Sequence, residues 1–342
     1  MTALLADELT EHLDGEYAAL RRQIMGYIVS RSIMAITEAG IPDLLHDGPR
    51  SVPDLATAAG VDADALRRML GLLESEGLLT GVAPDRVELT GRGRLLCSDT
   101  PGSLKHLCAL MDHEAYTCWS GAGHALRTGG AAFDQVYGQP YFDWLAGHPD
   151  DATRFHAAQA GLVEMRLLPL LALDWSATRT VVDVGAGDGV LLHTLLTAQP
   201  HLAGIGFDLP EVTAAAPVGE RTTRVGGSFF DGVPVGGDTY VLAQILHDWP
   251  DVDAVRILRR VREAMLRTGS PAARLLVLEQ VVPDDTRPHP ARLLDLHMLV
   301  LLGGRERTER QWRELLSRSG FRVERITAGA RSALLEAVPE PD

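Results

Sequence analysis

Apolar residues follow helical spacing through much of the first half of the chain and give way to short β-branched runs alternating with helices in the second. Between Glu16 and Leu45, Leu20, Ile24, Tyr27, Ile28, Ile33, Met34 and Ile36 fall at three- and four-residue intervals, and Ile41-Pro42 ends the run. Residues 51–61 predict a short helix with a glycine stop. Asp62 caps the next helix, whose apolar face is Leu66, Met69, Leu70 and Leu73 and which Gly77 closes. Segments 78–82 and 86–90 pair as a hairpin, so this stretch reads as a winged helix. A long helix is expected over 151–173, and Asp174-Trp175-Ser176 marks the entry to a second domain.

Beyond that entry the period switches. Strands are expected over 181–184, 201–208, 222–226, 239–245 and 275–279, with helices over 190–198, 251–266 and 309–319 between them. A closing pair, 321–327 and 332–338, joined by a short turn, suits an antiparallel sheet edge. This alternation predicts an α/β fold. The expected organisation is a winged-helix-like dimerisation domain over 1–100, a helical linker over 101–174 that contributes to a substrate pocket, and a catalytic domain over 175–342.

Composition narrows the picture. A hydrophobic content of 46% over 342 residues is globular, and no apolar run reaches the roughly 20 residues of a membrane span. Met1 to Glu16 lacks a basic leading segment, so a cytoplasmic address and no membrane partner are expected. Cys97, Cys108 and Cys118 have no metal-binding spacing and read as reduced thiols. No metal is expected, and activity should be insensitive to EDTA. The net charge of −14 disfavours nucleic acid. A winged helix still invites that reading, but between Arg50 and Arg94 six arginines face seven acids, where phosphate binding needs a clear basic excess. A transcription regulator is therefore the weaker alternative.

The chemistry centres on Val181-Val182-Asp183-Val184-Gly185-Ala186-Gly187-Asp188-Gly189. Strand, tight turn and helix succeed one another, with glycines where a ligand must approach the backbone. Dinucleotide folds use G-x-G-x-x-G, whereas here the third glycine comes one position early. Asp183 would repel a pyrophosphate but suits a cationic amino-acid moiety. S-adenosylmethionine carries an ammonium and a sulfonium and no phosphate. Asp208 ends the second strand, where an acid accepts ribose hydroxyls. Ser228 and Phe229, at the end of the third, are placed to meet an adenine or to form an ordinary loop with core phenylalanines. His247, in Leu246-His247-Asp248-Trp249-Pro250 after the fourth strand, stands where open α/β sheets carry catalytic groups. A histidine there can take a proton near neutrality, and Glu279 and Glu306 are candidates to orient it. Tyr116, Trp119, Phe133, Tyr137, Tyr141, Phe142 and Trp144 cluster between 103 and 147, as a packed helical core or in part as an aromatic-substrate pocket. His113 is either a solvent-exposed histidine or a substrate contact.

Taken in order, D-V-G-A-G-D-G, F-D-L-P-E-V, G-S-F-F, I-L-H-D-W, L-E-Q-V-V-P and G-G-R-E-R-T resemble the small-molecule O-methyltransferase family. That family includes plant caffeic acid O-methyltransferases and bacterial enzymes that methylate aromatic natural products. The resemblance spans nearly the whole chain. It implies a class I methyltransferase sheet of seven strands, the last antiparallel, and a homodimer built through the N-terminal domain. It implies His247 as general base flanked by Glu279 and Glu306. For S-adenosylmethionine it implies Asp183, Gly185 and Gly187 at the methionine end, Asp208 at the ribose with Leu209 following, Ser228 and Phe229 at the adenine edge, and Trp249 on an adenine face. Trp119, Phe155, Gln159 and Met298, with His113, are the acceptor-side expectations.

Three positions depart from the family pattern: Ser228 replaces an acid, Ala243 a lysine and Gln159 a methionine. The first two weaken or reroute cofactor contacts, and the third predicts a polar group on the acceptor. The expected reaction is methyl transfer to a hydroxyl, phenolic by preference, of a small aromatic acceptor. The alternative within the family is S-adenosylmethionine binding with hydroxylation, decarboxylation or rearrangement.

Overall fold

The computed structural model describes residues 14–215, 219–270, 273–329 and 332–341, without the side chains of 160–165 and 215. The expectation of no leader segment therefore rests mostly on residues outside the described ones, as does part of the turn joining the last two strands. Among the described residues no helix is long and apolar enough to cross a membrane. The chain divides into two units at Glu114/Ala115, so the expected linker is not a unit of its own: its first helix falls in the first unit and the remainder in the second.

In the first unit a helix over 14–24 precedes helix Gly26–Glu38. Helices Val52–Ala59 and Ala63–Ser75 begin at caps that the sequence specifies: Ser51 Oγ accepts from the Asp54 amide at 3.2 Å and Asp62 Oδ1 from the Ala65 amide at 2.8 Å. Strands Leu79–Ala83 and Arg86–Leu89 pair antiparallel, and Arg50–Ser51 joins as a third strand. Ile36, Leu55, Leu66, Leu70 and Leu73 pack the core. Met69, expected on the same face, is 39% exposed, because the buried stripe is narrower than the apolar one.

The second unit carries a seven-stranded sheet. Its strands are β1 (Thr180–Val184), β2 (Ala203–Asp208), β3 (Thr222–Gly226), β4 (Thr239–Ala243), β5 (Arg274–Glu279), β6 (Phe321–Thr327) and β7 (Ala333–Pro339). Their order is β6-β7-β5-β4-β1-β2-β3, with β7 antiparallel to both neighbours and the pairs from β5 to β3 parallel. The period of two explains why both faces are apolar. Val182, Val184, Tyr240, Leu242, Leu275 and Val277 pack with helix Asp251–Thr268 and with Trp312, Leu315 and Leu316. Val181, Val241, Leu276 and Leu278 pack with Leu191, Leu192, Leu195, Leu196 and Trp175. The order reverses between β1 and β4. The carboxyl ends of these two strands therefore flank the crevice in which open α/β sheets place their ligands.

Three elements differ from the sequence expectation. The fourth strand stops at Ala243 rather than 245, because Gln244 takes φ 58° and turns the chain toward Glu279. The helix expected over 151–173 ends at Arg166, and a short helix Leu168–Leu171 follows with Pro169 in its first turn. Helix Pro290–Leu302 was not anticipated at all.

Candidate active site

His247 lies in a single 3₁₀ turn, Leu246–Asp248, just beyond β4, and is 6% exposed. Its Nδ1–H donates to Glu279 Oε2 at 2.6 Å, and its Nε2 is 3.2 Å from Asp248 Oδ1. Glu279, at the end of β5, is fully buried. Its Oε1 accepts from the Ile245 and Leu246 amides at 3.0 and 2.8 Å, and its Oε2 also accepts from Gln244 Nε2 at 3.2 Å. Three donors from residues 244–246 thus hold one carboxylate in a single orientation, which fixes the imidazole in turn. Burial alone would lower the His247 pKa, but Glu279 and Asp248, with Glu306 behind them, outweigh it and raise the value to about 10.

The loop after helix Pro290–Leu302 closes over this turn. A Cβ on Gly304 would lie 2.2 Å from the His247 carbonyl oxygen, so only glycine permits the approach that lets the Arg305 amide donate to that oxygen at 2.8 Å. Glu306 follows at 3% exposure, with neither carboxyl oxygen hydrogen-bonded. Burial, opposed by His247 but reinforced by Glu279, Asp248 and Asp295, raises its pKa to about 8.

Sequence reasoning missed Arg307. Its side chain is 1% exposed and donates through Nη1 to the Leu246 carbonyl at 2.8 Å, through Nη2 to the Trp249 carbonyl at 2.9 Å and through Nε to Asp251 at 3.0 Å, while lying over the Trp312 ring. The guanidinium therefore clamps both ends of the turn that carries His247. Gln244, also unanticipated, positions Glu279 from below. The only signal for either was membership of a quoted motif or adjacency to one.

At the end of β1, Asp183 is 1% exposed and its Oδ2 has no hydrogen-bond partner. Burial, with Asp208 and Asp188 adding and Arg224 opposing, raises its pKa to about 7. The turn after it is bound to β2 through the Gly185 and Ala186 amides, which donate to the Phe207 carbonyl at 2.8 and 3.1 Å. Gly185 has φ 82°, and a Cβ there would lie 2.3 Å from Ile245 Cδ1, which brings the turn against the segment leading to His247. Asp208 accepts from the Gly187 amide at 2.8 Å and from the Leu209 amide at 2.7 Å. Each of its oxygens keeps a lone pair, and burial raises its pKa against these two amides.

The remaining candidates scatter. Phe229 and Phe230 meet Trp249 edge-on at 5.7 and 4.8 Å, and Phe142 stacks on the same indole at 6.1 Å. Ser228 Oγ accepts from the Phe230 amide at 3.3 Å and so shapes its own turn. Phe155 lies edge-on to Tyr141 and Phe142. Gln159 accepts from Arg166 Nη1 at 3.3 Å, so a cation of this chain already engages the amide. Trp119 is 40% exposed and its indole N–H donates to His297 Nδ1 at 3.3 Å, while Met298 is buried. His113 is exposed and falls in the first unit.

An O-methyltransferase domain model matches residues 119–322, and an O-methyltransferase dimerisation domain model matches 22–99. The chain belongs to the S-adenosylmethionine-dependent O-methyltransferases. This O-methyltransferase is 39% identical to the phenazine O-methyltransferase PhzM of Lysobacter antibioticus, over 94% of its own length and 95% of that protein's. It is 36% identical to the 8-amino-8-demethylriboflavin N,N-dimethyltransferase of Streptomyces davaonensis, over 85% and 86% of the two chains. A crystal structure of the O-methyltransferase NcsB1 from neocarzinostatin biosynthesis, with S-adenosylmethionine and 2-hydroxy-5-methyl naphthoic acid, superposes with a TM-score of 0.78 at 31% identity, covering 91% of this chain and 96% of that one. The cofactor is S-adenosylmethionine, and the residues present fit it. A buried carboxylate oxygen without a partner at Asp183 calls for a cationic donor, and Asp208 offers free lone pairs for hydroxyls.

Proposed function

We propose that this O-methyltransferase moves a methyl group to a phenolic hydroxyl of a small aromatic natural product, with His247 as the base. The observation that carries the reading is Glu279, anchored by three donors and bonded to His247 Nδ1. Nδ1 is committed, so Nε2 is the atom left to take the hydroxyl proton, and Asp248 Oδ1 is the group the hydroxyl displaces from it. A base raised to about 10 matches a phenol of pKa about 10, so the proton moves at little cost. An amine acceptor enters neutral and needs no such base, which favours oxygen here although one relative is an N,N-dimethyltransferase.

When bound, S-adenosylmethionine supplies the electrophilic methyl on its sulfonium. Asp183 would hold the ammonium and Asp208 the ribose, with Leu209 beside it. Ser228, Phe229 and Trp249 would bound the adenine, and the Gly185–Gly187 turn would admit the chain between them. Phe155, Gln159, Trp119 and Met298 would face the acceptor. Formation of S-adenosylhomocysteine and a methylated product from labelled cofactor and a panel of hydroxylated aromatics tests the reading. A product in which no methyl is transferred sinks it.

Two further outcomes follow. Asp183→Asn should weaken S-adenosylmethionine binding by about 10- to 150-fold, as expected for one hydrogen bond to a charged group. In the wild type the carboxyl must ionise to take the ammonium, and its pKa is raised to about 7, so calorimetric affinity should rise between pH 6 and 8. By the same linkage the folded state binds more protons than the unfolded one above pH 3.8. The ligand-free protein therefore loses stability as pH rises through 7.

The N-terminal domain is proposed to form a homodimer. Tyr17, Leu20, Ile24 and Tyr27 recur at the 3.5-residue period of a helix seam and are 70, 58, 68 and 57% exposed. Sedimentation should give a dimer that Leu20→Glu with Ile24→Glu converts to a monomer; a monomeric wild type contradicts this.

A further inference from the structure

Glu306 combines features that a spectator carboxylate does not have. It is 3% exposed, and neither oxygen meets a donor although its backbone N–H donates to Asp295 Oδ1 at 2.9 Å. The charged groups that face it are His247 on the base turn, Asp248 beside it, Glu279 at the end of β5 and Asp295 on helix Pro290–Leu302, three acids against one imidazole. The imidazole already serves Glu279 and Asp248. The neighbouring cations are directed elsewhere: Arg307 to Asp251 and three carbonyls, and Arg305 to Asp251 at 3.8 Å. An ionised carboxylate in this position would forfeit its hydration and gain no hydrogen bond. The neutral acid avoids that loss and becomes a donor.

We infer that Glu306 works as a neutral carboxylic acid whose O–H donates to a hydrogen-bond-accepting oxygen or nitrogen adjacent to the reacting hydroxyl. The acceptor class is thereby narrowed to aromatic compounds that carry a carbonyl or ring nitrogen beside the phenol. A buried O–H without an acceptor is itself unsatisfied, so the site selects acceptors that complete it. Its raised pKa, to about 8, agrees with this protonation state. The inference rests on the proposed phenol methylation. It differs from a pure base-orienting role for Glu306, which would require the charge.

The test compares 2-hydroxyacetophenone with 2-ethylphenol, near-isosteres that differ in the adjacent carbonyl, in wild type, Glu306→Ala and Glu306→Gln. Wild type should prefer the ketone by about tenfold or more in kcat/KM. Glu306→Ala should lose that preference with S-adenosylmethionine affinity unchanged, and Glu306→Gln, whose amide still donates, should rescue it. A rescue failure with a cooperatively melting Glu306→Gln, or equal use of both phenols by wild type, overturns the inference. Infrared spectra at pH 7 give an arm independent of turnover: the wild-type minus Glu306→Gln difference should show the carbonyl band of a protonated carboxyl, the Asp183 contribution common to both cancelling. If the wild type methylates neither phenol nor any other hydroxylated aromatic, the proposed function falls, and absence of that band still refutes the neutral acid.

Discussion

Replacing His247 by alanine is expected to lower kcat by about 10²-fold or more, the contribution of a positioned general base, while the affinity for S-adenosylmethionine holds. The split follows from the geometry. Asp183 and Asp208 are on β1 and β2, and neither bonds to the imidazole, whereas His247 is bound to Glu279 and Asp248. The residual activity is alignment of the two reactants, which alanine leaves intact. The pH profile adds a signature that a structural histidine would not give. As the proposed base, His247 would be active when neutral, and its pKa is raised to about 10, so kcat/KM in the wild type should climb with pH well above the ordinary histidine range near 6.5. Glu279→Gln removes the largest upward influence and should bring the limb back toward 6.5 while lowering the plateau. Near-wild-type turnover in His247→Ala, or a limb that Glu279→Gln does not move, would remove His247 from the role of base.

The parts of this site visible in the sequence are those whose chemistry is local. Asp183 with its glycines and Asp208 after an apolar strand announce themselves within a few residues, because turn geometry and strand period are short-range properties. The same holds for the caps at Ser51 and Asp62. What escaped is set by partners far along the chain. Arg307 reaches carbonyls 61 and 58 positions away, and nothing in its neighbourhood separates a buried clamp from a surface arginine. Gln244 ends its strand early because Glu279, 35 residues on, draws its side chain. Helix Pro290–Leu302 escaped for a different reason: Leu296, Met298, Leu299, Val300, Leu301 and Leu302 leave no polar face from which to read a period. Its ends were nevertheless marked, by His289-Pro290 at the start and Gly303 at φ 70° at the stop. The exposed N-terminal stripe shows the converse, a clear apolar period whose burial within one chain the sequence had no means to decide.

Arg307→Leu is expected to cost about 2–5 kcal/mol in equilibrium urea unfolding, chiefly from buried carbonyls that lose a charged donor. The Trp249 carbonyl loses its Arg307 donor and the Leu246 carbonyl keeps only the long bond from the Trp249 amide, at 3.4 Å, inside a turn that leucine cannot satisfy. The ion pair itself adds little, since Asp251 is 38% exposed and water can replace the guanidinium there. Arg307→Lys should recover only part of the loss, because a single ammonium cannot match a fork that bonds two carbonyls and a carboxylate at once. Under conditions where the variant remains folded, its kcat should still fall by about tenfold at saturating cofactor and acceptor, since releasing both ends of the turn lets Nε2 drift from the reacting hydroxyl. A loss below about 1 kcal/mol would mean that the turn holds its shape through Glu279 and the Arg305 amide alone. In that case the precision of the base would derive from β5 and the Arg305 amide, with no share from the Arg307 guanidinium.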